Sequence, residues 1–320
     1  MRLSPNTTAF VFPGQGSQVV GMGRDLADTY PIARAIFEEA DALLGFSLSG
    51  LMWNGPAGEL NETVNTQPAL YLHAVAALRV FSELYPDFRP AFVAGHSLGE
   101  LSALTAATSL PFAEGLRLVR TRGELMKRAG EISPGGMAAI LSIDIPALER
   151  VCAEASKPGE PVEVANDNSP GQVVISGAKA AVERAIELAR AAGARRAVPL
   201  AVSIAAHSPL MATVQNEFRE AVEAALIQEA ASPVISNVKA APISLPAELR
   251  ADLAAQLTSR VRWTESVRFL RQQGVQTFVE VGTGNVLLGL IQRIDPSAAG
   301  IPLGKPADFA ALAEAAQDRL

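Results

Sequence analysis

The sequence predicts an α/β fold in which one parallel, doubly wound sheet is interrupted by a small inserted unit. Three observations carry that expectation. Short apolar runs alternate with stretches of helical periodicity before residue 130 and again after residue 204. A composition break at SPGG (133–136) opens a segment patterned strand, helix, strand, strand, helix, strand. That is the ferredoxin-like order, in about the length such a unit needs. Finally, GHSLG (95–99) follows a buried run and precedes a helical pattern, as a sharp strand-to-helix bend requires. Residues 1–129 and 205–320 are therefore expected to form a large subdomain, with residues 130–204 as a small one.

Residues 9–12, an apolar run stopped by Pro13 and Gly14, read as a buried first strand. The loop GQGSQ (14–18) follows, a glycine-rich backbone suited to close approach by a ligand. Helical periodicity covers 30–44 and 67–85. In the second, Leu70, Ala74, Ala77 and Leu78 share a face, Thr66 is the expected cap and Pro68 occupies the first turn. A strand at 91–94 leads into the bend and a helix opening at Leu98. The next helix, 112–129, carries Arg117, Arg120, Arg122 and Arg128, and solvated charge is the ordinary fate of such arginines. In the inserted unit the strands are expected at 137–143, 162–165, 173–176 and 197–200, with helices at 146–155 and 178–192. Beyond it, Ser208 caps a helix whose first turn holds Pro209. Further strands fall at 234–237, 277–281 and 300–303, and Asp308 is the expected cap of a final helix, 308–320.

Composition narrows the function. Hydrophobic residues make up 49% of the chain and charged residues 19%, enough for a sizeable core. The net charge of −6 argues against a nucleic-acid or anionic-membrane partner, whose phosphates need clustered Lys and Arg. No apolar run reaches spanning length, and MRLSPNTTAF lacks the charged start and apolar block of a signal peptide, so a cytoplasmic protein is expected. The single cysteine, Cys152, falls in a helical pattern and reads as a packed thiol. One cysteine and three histidines leave no metal-ligand cluster.

The bend spells G-x-S-x-G. Tiny residues at 95 and 99 let the chain turn tightly enough to lift the Ser97 hydroxyl clear, and the new helix aims free N–H groups at whatever the serine attacks. A serine needs a base within reach. Of the three histidines, His73 lies mid-helix and His96 points away from its neighbour on an extended approach. His207, in AAHSP (205–209) on a strand-to-helix loop, is the favoured base. The third member is open. Asp167 is the nearest acid between the two, but its turn-rich surroundings leave a backbone carbonyl or an amide equally eligible.

With these residues assembled, the chain resembles the malonyl-CoA:acyl carrier protein transacylases of fatty-acid synthesis and the acyltransferase domains of polyketide synthases. The motifs that carry the resemblance run nearly end to end. They are FVFPGQGSQ (10–18), the QPA tract from Gln67, GHSLGE (95–100), RLVRTRGELM (117–126), GGMAAI (135–140), ANDNSPGQVVISG (165–177), AAHSPLM (205–211), PVISNV (233–238) and VEVGTGNVL (279–287). The resemblance implies a hydrolase-like large subdomain beside the ferredoxin-like one. It also implies Ser97 as the acylated nucleophile, His207 as general base, the backbone N–H groups of Gln15 and Leu98 as oxyanion hole, and Arg122 as the group that binds the malonyl carboxylate. The main-chain carbonyl of Gln256 would hold the histidine. It further implies malonyl-CoA as substrate, an acyl carrier protein with its phosphopantetheine thiol as partner, no bound cofactor and ping-pong transfer; the sequence is silent on oligomeric state, and a monomer is the expectation.

Three positions depart from the family pattern: Arg260 and Thr283 stand where proline is usual, and Ala206 before the histidine leaves room for a branched extender unit. Lys127, Arg128, Arg195 and Arg196 are candidates for a basic patch facing an acidic carrier. Alternatives within the same chemistry are an acyltransferase acting in trans on a polyketide synthase or charging a malonate decarboxylase. Outside it, a serine thioesterase or esterase and an inert docking subunit remain.

Overall fold

The computed structural model describes residues 3–317. Ten strands run along these residues: β1 (Thr8–Phe12), β2 (Phe92–Gly95), β3 (Gly135–Leu141), β4 (Val162–Ser169), β5 (Gln172–Ala178), β6 (Arg196–Pro199), β7 (Val234–Ile235), β8 (Pro242–Ile243), β9 (Thr277–Val281) and β10 (Ala299–Leu303). The larger sheet has the order β10-β9-β1-β2-β7-β8. Its centre is β1, five residues buried throughout and paired in parallel with β2 and β9. A continuous apolar strand such as TAFVF is what a sheet covered on both faces demands. The pairs β9–β10 and β2–β7 are also parallel, so these five strands end at one edge, where open α/β sheets hold their ligands.

The expected parallel sheet is present and carries one antiparallel strand at its edge. A tight turn through Ala240, at φ 52°, sends β8 back antiparallel to β7. The strand expected over 234–237 stops at Ile235, where the chain turns; beyond it Ser236 Oγ donates to Asp252 and Asn237 Oδ1 accepts from Ser97 N–H.

The helix before β2 spans Thr63–Leu84, so it starts four residues before the expected 67 and holds Pro68 in its interior. Proline has no N–H and should orphan the Val64 carbonyl, four residues back. Arg120, from helix Phe112–Ile132, donates to that carbonyl at 3.0 Å and replaces the lost bond. The expected cap Thr66 instead donates its hydroxyl to Leu60 O at 2.6 Å. Arg120 is thus half-buried and structural, not one solvated charge among four.

The smaller sheet, β4-β5-β3-β6, is antiparallel throughout. With helices Ile145–Ala155 and Lys179–Ala191 it closes a separate core around Ile140, Leu148, Ile175 and Ile186. In order of appearance its strands lie 2-3-1-4, the ferredoxin-like arrangement. Cys152 is buried in that core, and burial pushes its thiol up to about 12, as expected of a packed thiol. The two subdomains are stitched at 259–262: Val261 N–H donates to Ala165 O and Asp167 N–H to Val261 O. Arg260, where the resemblance leads one to expect proline, adds an ion pair to Glu149 at 2.6 Å and a bond to Val164 O.

The final helix is Pro306–Gln317, and the last three residues of the expected 308–320 lie outside the described residues. Asp308 sits inside its first turn and reaches back to accept from Gly304 N–H and Lys305 N–H, rather than standing before it as a cap. Among the described residues no helix is long and apolar enough to cross a membrane, and no group of three or more metal-ligating side chains comes together.

Candidate active site

The bend between β2 and helix Gly99–Ala106 is built on close approach. A Cβ on Gly95 would lie 1.9 Å from Gly99 C, and one on Gly99 would lie 2.2 Å from Phe12 O. Neither contact is tolerable for any side chain, so both positions must be glycine for the helix to start this near β1. Between them Ser97 takes φ 54°, a left-handed conformation uncommon for serine. Asn237 holds it there. Its Oδ1 accepts from Ser97 N–H at 2.8 Å, and its Nδ2 donates to Gly95 O at 2.7 Å.

Ser97 Oγ lies 2.7 Å from His207 Nε2. The imidazole is only 3% exposed, and its Nδ1 faces two main-chain carbonyls, Gln256 O at 2.9 Å and Ser259 O at 3.1 Å. Two acceptors at Nδ1 require the proton there, which leaves the Nε2 lone pair directed at the serine hydroxyl. Burial, and then the Arg122 charge, push the histidine down to about 3, so the ring is neutral and free to take a proton. Among the described residues no carboxylate orients it. Asp167 accepts from Thr264 Oγ1 at 2.6 Å and does not reach the ring. His96 turns aside to Asn168 at 2.8 Å, and His73 is buried mid-helix against Gly304 O.

Arg122 is the largest charge in the site and is 1% exposed. Its Nη1 donates to Gln67 Oε1 at 2.7 Å, and its Nη2 donates to Gln256 Oε1 at 2.8 Å and to Ser97 Oγ at 3.0 Å. Its Nε has no partner, and the guanidinium makes no ion pair among the described residues. Burial pulls its pKa down to about 10, which still leaves it a cation at neutral pH. Nη1 also donates to Met126 Sδ at 3.3 Å, and a buried cation held by neutral groups alone is set to receive an anion. Its neighbours on the same helix differ: Arg117 and Arg128 pair with Glu114 and Glu217 at the surface.

These groups open onto a cavity of about 630 Å³ between the two subdomains. Gln15 and Leu98 line it beside Ser97, as do Ala206, Met126 and Met137. The Gln15 side chain accepts from Thr63 at 3.0 Å. Every site residue expected from the sequence therefore meets at one place, with Gln256 contributing its carbonyl to His207 and its side-chain amide to Arg122. The basic patch fares worse. Lys127 is paired with Glu62 and Arg128 with Glu217, which leaves Arg195 and Arg196 of the original four.

Comparison with known proteins adds the family. The model of the acyl transferase domain matches residues 9–302. A malonyl CoA-acyl carrier protein transacylase of Haemophilus influenzae is 46% identical over 96% of this chain and 98% of its own. The chain belongs to this acyl transferase family. Among solved structures of the family, the malonyl-CoA:acyl carrier protein transacylase of Xanthomonas oryzae pv. oryzae is 43% identical, covers 98% of this chain and 99% of its own, and superposes with a TM-score of 0.93. A malonyl-transacylase in complex with its type II polyketide synthase acyl-carrier protein is 41% identical, covers 96% of this chain and 99% of its own, and gives a TM-score of 0.92.

Within this acyl transferase, four contributors had no individual signal in the sequence: Asn237, Gln67, Ser259 and Asn168. Asn237 had the best prospect, at the end of a strand whose neighbours deliver the Ser97 turn to the same sheet edge. Ser259 acts through a main-chain carbonyl, which any residue supplies, so no residue type could have revealed it.

Proposed function

We propose that this chain moves a malonyl group from malonyl-CoA to the phosphopantetheine thiol of an acyl carrier protein through a malonyl-serine intermediate. Ser97 Oγ attacks the thioester carbonyl while His207 Nε2 takes its proton. The N–H groups of Gln15 and Leu98 hold the tetrahedral oxyanion, a contribution of about 3 kcal/mol per donor. CoA leaves as the thiol when His207 returns the proton. The carrier's thiol then attacks the ester with His207 again as base, and Ser97 is regenerated. The chemistry calls on no bound cofactor, and we read its setting as the cytoplasm.

The observation that carries this reading is the Arg122 guanidinium, buried one hydrogen bond from Ser97 Oγ and without a carboxylate partner among the described residues. A carboxylate two carbons from the attacked carbonyl would pair with that cation, and an acetyl group would leave it without a counter-ion. A hydrolase needs no such cation. Ala206 beside His207 leaves space for a small branch on the acyl chain. The test is steady-state kinetics with malonyl-CoA and a holo carrier protein. Parallel double-reciprocal lines are expected for a covalent ping-pong route, and intersecting lines would contradict it.

A further inference from the structure

Glu100 lies one turn beyond Ser97, is 1% exposed, and has no part in the chemistry above. It is nevertheless where the site's supports converge. Its Oε1 accepts from Asn237 N–H at 3.1 Å, and its Oε2 accepts from Gln256 Nε2. Asn237 grips the N–H of Ser97, while Gln256 Nε2 also donates to Ser97 O at 3.0 Å. The strained serine is thus clamped on both sides by two amides, and both hang from one carboxyl. Gln256 does more. Because Glu100 and Ser97 O take its two N–H donors, its Oε1 can only face the other way, where it accepts from Arg122 Nη2 at 2.8 Å.

We propose that Glu100 is a positioning residue that fixes the orientation of the Gln256 amide, and through it aims Arg122 at the substrate carboxylate beside Ser97. The proposal rests on the reading of Arg122 as the malonyl-binding group. Asp252, buried behind Glu100 and held by Ser236 Oγ, has one oxygen without a partner. Burial, and then the Asp252 charge, push the Glu100 carboxyl well above its ordinary range. The Glu100 carboxyl sits one amide away from the buried guanidinium, close enough to favour its charged state and too far to occupy its fork.

Glu100→Gln preserves shape but presents one oxygen and one NH2 where two acceptors are needed. The NH2 then faces a donor, either Asn237 N–H or Gln256 Nε2. Relieving the second clash flips the Gln256 amide and turns its NH2 towards Arg122. The decisive readout is the rate of acyl-serine formation from malonyl-CoA divided by that from acetyl-CoA, for wild type, Glu100→Gln, Gln256→Ala and the double variant. Each single change is expected to lower the malonyl preference about tenfold, the scale of one buried hydrogen bond to a charged group. The double variant should lose no more than the worse single, since both changes break one path.

An unchanged preference in Glu100→Gln, with both acyl groups slowed alike, would reduce Glu100 to a support of the fold and overturn the proposal. Losses that multiply in the double variant would overturn it as well. Should Glu100→Gln not fold, Glu100→Asp keeps the charge but shortens the reach, and the same loss of preference is expected. A wild type that shows no malonyl preference would instead overturn the reading of Arg122, and this proposal with it.

Discussion

Replacing His207 by asparagine is expected to slow acylation of Ser97 on the order of 10^4- to 10^6-fold, the range seen when a serine loses its base. Asparagine is the informative substitute because His207 sits at φ 58°, where asparagine is comfortable and alanine is strained. The fold should therefore survive, and circular dichroism with a melting curve checks it. The same histidine fixes the pH profile of the intact protein. Burial and the Arg122 charge hold it near 3 in the free enzyme, so it is already neutral at neutral pH. On lowering the pH, kcat/KM for malonyl-CoA is expected to stay flat through the ordinary histidine range of about 6–7 and to fall only below it. An acid limb centred in that ordinary range would mean that the imidazole is far less buried, or less close to Arg122, than the structure has it.

Arg122→Ala is expected to invert acyl preference. Removing one partner of a buried charge pair costs about 2–5 kcal/mol, so malonyl transfer should fall by about 30- to 5,000-fold. Acetyl transfer should rise relative to wild type, because the acetyl group no longer leaves a buried guanidinium without a counter-ion. Rates of acyl-serine formation from the two CoA thioesters measure this directly. Malonyl preference undiminished in Arg122→Ala would sink the role. Retention of the cation matters too: Arg122→Lys keeps the charge but not the planar fork, and should recover only part of the preference.

Much of this architecture was legible in the sequence, because local patterns dictate it. The buried run of β1, the glycines at 95 and 99, and the β-α-β-β-α-β order each follow from spacing alone. His207 was reachable because the chain holds only three histidines and the other two fall on unsuitable elements. Arg122 was not singled out by periodicity, since four arginines share its helix. What distinguishes it is burial against Gln67 and Gln256, 55 and 134 positions away, and the resemblance to the transacylases supplied the choice. The least legible features are the long-range polar pairs. Asn237 on Ser97, Gln256 on Glu100 and Arg120 on the carbonyl orphaned by Pro68 each join segments that only the folded chain brings together. Proline inside helix Thr63–Leu84 is the sharpest case. It argues locally for a helix start, and a side chain from another helix overrules it.

The most direct test of covalent transfer is intact-mass analysis of the protein mixed with malonyl-CoA and then with a holo carrier protein. One malonyl adduct is expected on the wild type and none on Ser97→Ala, with discharge onto the carrier when it is added. Absence of the adduct, its persistence in Ser97→Ala, or its loss to water as fast without the carrier as with it would contradict the account.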